Sequence, residues 1–379
     1  LSSQPRRSIG ASVDGLPFDL TGGTYVDIGF PYSKDTRNSR RPGFGAPLSL
    51  LAALATSAAL LMSGTPVQAA PSAAPAQDAR IVAGEGTHIL TGQGGKGAYR
   101  TGTIAPGTVT RAAPPPVAGR PNLPARGFSK RASGTAFGDF WQLQMNLCNS
   151  GHAGCYAGGD AIDEGAYMIY LLMPDLVTVN EVCLGDVTND LTPAMAGAWA
   201  GDWAFYVFMP AVTAAGTPVT CTNGDEYGVA VIGHMPDSLY YGFDAFGGHY
   251  GNQDSGNEKR AFACLYAIDH YYACTTHLTS DSEPIALAQC SELLTGVIPA
   301  IRAYEGVYRP TVLGGDLNLE YDTSDPENVQ NCVPSGYTRK GDGNVQHIMA
   351  TNDTPFYDTD TYLMFYTDHQ AFLAKLTMP

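Results

Sequence analysis

Charge is scarce in this chain, with only 15% of its 379 residues being Asp, Glu, Lys or Arg. That is too few for the charged faces of a coiled coil, while a hydrophobic share of 44% is too high for a disordered tail. Basic residues are scarcer still, 21 Lys and Arg against 36 Asp and Glu, giving a net charge of −15. This excludes holding nucleic acid by bulk electrostatic attraction, so any phosphate-bearing ligand must be caught locally, by a metal ion or a few Arg and His. No Cys-x-x-Cys occurs, and no His stands at zinc-ligand spacing around a Cys. Gly92-Gln-Gly-Gly-Lys-Gly97 is glycine-rich but lacks the Lys-Ser/Thr pair and the preceding strand of a phosphate loop.

What charge there is divides unevenly. Residues 1–70 hold six Lys and Arg and four Asp, a net of +2, so the other 309 residues carry −17. Within that basic front end, Arg40-Arg41 precede an apolar run of 15 residues, Leu48 to Met62, followed by small residues through Ala69-Ala70. A positive region, a short apolar core and a small-residue cleavage site describe a secretory signal peptide at about residues 40–70. The run is shorter than the roughly 20 residues of a membrane span. Residues 1–39 show no periodicity. From 71 to 137 the chain is rich in Ala, Pro and Gly, with few bulky apolar residues to offset ordering entropy, and reads as a flexible leader.

From residue 138 to 379 the pattern is that of a folded domain. Trp141, Leu143, Met145 and Leu147 alternate with Gln142, Gln144 and Asn146, which is strand periodicity. Ala161–Leu172 and Glu283–Tyr304 read as helices. Asp175–Cys183, Tyr227–Ile232, Ala261–Ile268, Tyr271–His277, Thr311–Gly314, Val345–Ala350 and Gln370–Leu376 read as strands. A mixed α/β domain of about 240 residues follows. All eight Cys lie here, and an even number in an exported chain implies four disulfides. Short loop closure pairs Cys148 with Cys155, and a hairpin pairs Cys264 with Cys274. Cys183–Cys221 and Cys290–Cys332 complete the expected set.

The residues that carry chemistry stand at strand ends. Asn146 closes the first strand. Glu181 closes the second in the parity of Val177 and Val179, where a carboxylate is costly unless paired or metal-bound. Thr276-His277-Leu278, Gly314-Gly-Asp-Leu-Asn318 and Thr367-Asp368-His369 end or open three further strands. Oxygen donors of this kind suit Mg²⁺ or Mn²⁺, and two His with an Asp supply acid, base and water-orienting groups.

With these five motifs in this order, residues 139–378 resemble the endonuclease/exonuclease/phosphatase superfamily. The resemblance implies an α/β fold of α+β type: a deoxyribonuclease I-like, four-layer α/β/β/α sandwich with two central mixed sheets. It implies that Glu181, Asn146 and Asp368 hold a catalytic Mg²⁺ or Mn²⁺, and leaves room for a structural Ca²⁺. Asp316 and Asn318 would orient the attacking water and the phosphate, and His277 and His369 would act on the scissile phosphate. Arg260 falls where many members keep a phosphate-binding Arg. The family's Gln-Glu-Val is Asn180-Glu181-Val182 here, and Gln346 stands where an Asp usually supports the terminal His. Glu226 is the expected carboxylate partner of His277.

The leading expectation is a secreted, metal-dependent phosphodiesterase, a nuclease acting on DNA or RNA as a monomer without a stable protein partner. The −17 charge favours the alternative of a lipid-headgroup or small-molecule phosphatase or phosphodiesterase, sphingomyelinase-like. An inactive binding or toxin-like module on the same fold is the reading from another class. Residues Asp237–Glu258, with Tyr240, Tyr241, Phe243, Phe246, His249 and Tyr250, read either as a surface loop with a packed aromatic cluster or as a substrate-recognition loop.

Overall fold

A computed structural model describes residues 80–84, 87–91, 99–108 and 138–379. The expected signal peptide and most of the expected leader lie outside the described residues. The chain divides into two units, residues 1–70 and 71–379, and everything described belongs to the second.

In chain order the strands are β1 (Arg80–Gly84), β2 (Thr87–Thr91), β3 (Arg100–Ile104), β4 (Phe140–Asn146), β5 (Leu176–Cys183), β6 (Asp202–Pro210), β7 (Val212–Thr213), β8 (Tyr227–Pro236) and β9 (Phe243–His249). There follow β10 (Glu258–Lys259), β11 (Ala261–Ala267), β12 (Tyr271–His277), β13 (Thr311–Asp316), β14 (Tyr337–Gly341), β15 (Gln346–Thr351), β16 (Phe356–Tyr362) and β17 (Ala371–Leu376). One sheet has seven strands in the order β16-β17-β4-β5-β8-β6-β3, the other six in the order β14-β15-β13-β12-β11-β9. Both are mixed: β4 runs parallel to β5, and β12 parallel to β13.

Three apolar layers explain the stacking. Phe140, Leu176, Phe205, Val207, Tyr271, Ala273, Val312 and Phe372 pack between the sheets. Leu143, Met145, Val177 and Val179 point the other way, under the helix Asp160–Leu172 and the segment Thr192–Ala198. Phe262, Cys264, Tyr266 and Leu313 face the helical stretch Glu283–Glu305 through Leu293, Leu294, Ile298 and Ile301. Helix, sheet, sheet, helix is the expected four-layer sandwich.

Each central strand changes character along its inward face. On β4 the inward residues are Phe140, then Gln142, Gln144 and Asn146; on β5, Leu176, then Thr178 and Asn180; on β13, Val312, then Gly314 and Asp316. All of them are buried. The alternation of β4 therefore marks a strand covered on both faces, its polar residues turned toward the second sheet. Gly314 permits that approach, since a Cβ there would collide with Thr178 and Gln142.

The structure adds elements that the sequence patterns do not announce. β3, from the stretch read as leader, pairs with β6 at a sheet edge. Asp237–Glu258 is not one loop: it contains the paired strand β9, in which Phe246 is buried, as is Tyr250 just beyond it, so neither is free to stack on a substrate. All four expected disulfides are present, Cys148–Cys155, Cys183–Cys221, Cys264–Cys274 and Cys290–Cys332.

Cys290–Cys332 ties the outer helix to a turn 42 residues away. Replacing both by Ala should destabilise the fold by about 2–4 kcal/mol in urea titration under oxidising conditions. His347 is buried, takes a hydrogen bond from Arg339 on Nδ1 and donates Nε2–H to the Leu319 carbonyl. Burial, opposed by the Leu319 bond and reinforced by Arg339, pulls its pKa down to about 4. Below its ordinary value of 6.5 the unfolded chain takes up a proton that the folded chain refuses, so stability falls as pH drops from 6.5 toward 4. His347→Gln should lose about 1–2 kcal/mol less than the parent between pH 6.5 and 5, read from the same titrations.

Candidate active site

The polar ends of β4, β5, β12, β13 and β15 meet at one edge of the sandwich, and hydrogen bonds between the sheets fix their register. Asn180 on β5 donates Nδ2–H to the Thr276 carbonyl at 2.9 Å and accepts the Asp316 N–H on Oδ1 at 2.8 Å. Gln144 donates to Asn180 Oδ1 at 2.6 Å and to Gln346 Oε1 at 2.9 Å. Asp316 is fully buried, and its Oδ2 accepts from Asn146 Nδ2 at 2.9 Å and from Gln346 Nε2 at 2.8 Å. A carboxylate so enclosed cannot rotate without breaking several bonds.

Glu181 reaches the site through a backbone irregularity. By strand alternation it would follow Val177 and Val179 under the helix. Instead the β5–β8 register shifts between Asn180 and Val182, and Glu181 takes a left-handed φ of 55°. The bulge lets its carboxylate accept from Asn146 Nδ2 at 2.9 Å and line the cleft. Burial, together with the like charge of Asp316 and opposed by the Asn146 hydrogen bond, raises its pKa. Asn146 thus binds Glu181 and Asp316 with one amide nitrogen, while its Oδ1 accepts the Cys148 N–H at 3.1 Å. In this geometry its amide nitrogen bridges two carboxylates.

His277 ends β12 with Nε2 at 3.8 Å from Glu181 Oε1. Its Nδ1 lies 3.0 Å from Arg260 Nη1. A guanidinium can only donate, so Nδ1 accepts and the proton sits on Nε2. Burial, then the Arg260 and His369 charges, lower its pKa well below the ordinary imidazole value, keeping it neutral near pH 7. Arg260 also donates to Glu258 Oε1 at 2.7 Å. The carboxylate on this side of His277 is therefore Glu258, acting through Arg260. Glu226 instead pairs with Arg100 of β3 at 2.6 Å. It precedes Tyr227, which lines the cleft, so strand parity turns Glu226 the other way.

His369 stands on the opposite side, Nε2 at 3.5 Å from Asp316 Oδ2 and Nδ1 at 3.3 Å from Gln346 Nε2. Gln346 Oε1 is committed to Gln144, so its amide nitrogen faces His369 and Asp316. Asn318, at φ 49°, donates its backbone N–H to Asp316 Oδ1 and its side-chain amide to the Leu278 carbonyl. Asp368 is exposed at the rim. It lies 3.6 Å from His369 Nε2, with its carboxylate beside the sulfurs of Cys148–Cys155, and makes no hydrogen bond or ion pair to Glu181 or Asn146.

Glu181, Glu258, Arg260, His277, Asp316, Asn318 and His369 line an open cleft of about 400 Å³. Its far wall is Ser150, His152 and Ala153 on the loop closed by Cys148–Cys155, with Val219 and Tyr227. Glu258, Tyr227 and this wall were not among the expected site residues. Parity of β8 could have indicated Tyr227; nothing local marks the wall.

No protein-family model matches the sequence, and no curated protein matches it. Among solved structures the chain is similar to the human Nocturnin catalytic domain with bound sulfate, at 14% identity and TM-score 0.43, over 64% of this chain and 94% of that one. It is similar to an endonuclease/exonuclease/phosphatase from Beutenbergia cavernae, at 17% identity and TM-score 0.45, over 63% and 72%. It is also similar to an endonuclease/exonuclease/phosphatase family protein from Bacteroides thetaiotaomicron, at 13% identity and TM-score 0.42, over 64% and 95%.

Proposed function

We propose that this protein is a secreted, divalent-metal-dependent phosphoric ester hydrolase that cleaves phosphodiester bonds, of the endonuclease/exonuclease/phosphatase type. One observation carries the reading: four motifs far apart in sequence bring Glu181, His277, Asp316 with Asn318, and His369 to a single cleft, and the fifth places Asn146 directly behind it, bonded to Glu181 and Asp316. The donor set suits a hard cation. Glu181 and Asp316 are two carboxylates held together by one Asn146 amide, and oxygen donors of this kind prefer Mg²⁺ or Mn²⁺. Glu181 would hold the ion, with Asn146 fixing its carboxylate and Asp368 reaching in from the rim. When bound, the ion supplies charge neutralisation at a non-bridging phosphate oxygen.

The chain's own groups then divide the remaining work. Asp316, oriented by Gln346, Asn146 and Asn180, accepts a proton from a water placed beside it, with Asn318 positioning water and phosphate. His277 donates its Nε2–H to a phosphate oxygen, its tautomer fixed by Arg260. His369, with Nε2 toward Asp316, stabilises the departing oxygen. The four disulfides and the apolar run at 48–62 support export.

Nucleic acid is the first substrate this reading names. A second is a headgroup-sized or lipid phosphate ester, and the placement of cations favours it. Among the residues whose side chains are described there are eight Lys and Arg, and all but Lys340 are engaged within the protein. Lys340 lies on the edge strand β14. Among the described residues no row of free cations tracks a polyanion backbone.

With Mg²⁺ or Mn²⁺ the purified protein should hydrolyse at least one of plasmid DNA, RNA, bis(p-nitrophenyl) phosphate or a choline phospholipid. EDTA should abolish that turnover, and His277→Ala should lower it by about a hundredfold or more. Turnover of none of these by folded protein sinks the hydrolase reading and leaves a binding module; turnover confined to phospholipid or small esters replaces the nuclease. Arg260→Lys, which cannot serve Glu258 and His277 with one planar fork, should lower kcat by about tenfold. A kcat within twofold of the parent would remove Arg260 from the mechanism.

A further inference from the structure

Glu164 is the one charged residue on the buried face of the helix Asp160–Leu172, and it is fully buried. A carboxylate in that position is costly unless donors surround it. Both its oxygens accept the Phe365 N–H, at 3.0 and 2.9 Å, and Oε2 also accepts the Tyr366 N–H at 3.1 Å. These amides belong to the irregular segment between β16 and β17, which has no strand ladder to hold it. Met364 is buried beneath the helix, whereas the Leu363 and Phe365 side chains are exposed. The Glu164 carboxylate is thus a direct restraint on the backbone here. Two residues on, Thr367 donates its hydroxyl to the Asn146 carbonyl at 3.0 Å, and Asp368 and His369 follow.

We infer that Glu164 is a positioning residue for the active site: by clamping the Phe365 and Tyr366 amides it sets where Asp368 and His369 stand. A carboxylate suits the task because it only accepts, so every lone pair is available to an N–H, and its charge strengthens each bond. Gln fills the same volume but turns an NH₂ group toward amide donors and removes the charge. Nothing in Glu164 touches the cleft, so its effect passes through the loop. The consequence for turnover rests on the hydrolase reading above; the consequence for loop order does not.

The test is Glu164→Gln in the full chain, with folding checked by circular dichroism. Amide hydrogen exchange at Phe365, Tyr366 and His369 should accelerate by about tenfold or more. Mn²⁺ affinity, followed by the paramagnetic resonance signal of the free ion, should weaken severalfold, and kcat on bis(p-nitrophenyl) phosphate should fall by about tenfold with KM little changed. A folded variant with parental Mn²⁺ affinity and kcat overturns the inference, as does one in which the His369 amide keeps its parental protection. If Glu164→Gln does not fold, Phe365→Pro deletes the principal N–H from the loop side and should give the same pattern, with the same overturning result. If the parent neither binds Mn²⁺ nor turns over, the hydrolase reading fails, and His369 exchange alone decides the clamp.

Discussion

The site depends on a polar seam buried between two sheets. Along β4, β5, β12, β13 and β15 the inward faces begin apolar and end in Gln142, Gln144, Asn146, Thr178, Asn180, Thr275, Asp316 and Gln346, all fully buried. Apolar contacts tolerate small slips between layers, because dispersion has little direction. Amides and carboxylates do not, since an unmatched buried polar group costs about 1–3 kcal/mol. The seam therefore selects one register between the sheets, and that register places Asp316 within hydrogen-bond distance of Asn146 and Gln346. It is not fully satisfied: Gln142 Oε1 and Gln144 Oε1 have no hydrogen-bond partner among the described residues. The geometry of the candidate site and the packing of the sheets are here the same set of bonds.

That rigidity allows strain to persist nearby. Glu181, Asn318 and Cys148 all have positive φ, which costs a residue with a side chain roughly 1–3 kcal/mol. Each is held from two sides. Glu181 is caught between the bulge and Asn146, Asn318 between Asp316 and Leu278, and Cys148 by its disulfide and the side-chain Oδ1 of Asn146. Without those restraints Glu181 would return to the parity of Val179, and its carboxylate would enter an apolar layer.

This explains what the sequence disclosed and what it concealed. The five motifs were legible because strand-end polar residues are local signals, and the four-layer fold followed from the resemblance they carry; Cys148–Cys155 and Cys264–Cys274 were legible from a short loop and a hairpin, whereas Cys183–Cys221 and Cys290–Cys332, 38 and 42 residues apart, had no local signal. The bulge at Glu181 was not, since one inserted residue shifts parity without changing composition. β3 was hidden in an Ala-, Pro- and Gly-rich stretch, where Arg-Thr-Gly-Thr-Ile looks like more leader; its Arg100 then took Glu226 away from His277. β9 was obscured by glycines that a loop and a tightly packed strand share. Glu258 could not be found from sequence at all, because it acts on His277 only through Arg260.

The charge deficit noted in the composition has its sharpest expression at this cleft. Glu181, Asp316 and Glu258 line it, with Asp368 at the rim, against a single guanidinium, Arg260, that Glu258 already neutralises. His277 is held neutral by burial and by that same Arg260. A phosphate ester entering would add negative charge to a site that is already negative, with little bulk water to screen it at the buried end. His369 cannot reverse this balance alone, being paired toward Asp316. On the proposed reading a bound divalent cation would change the local sign. Capture of the ion and capture of the ester would then be coupled by the chain's own electrostatics. With almost no free cations on the described surface, attraction for a phosphate would be concentrated at one point, where Glu181 stands out of its strand's register.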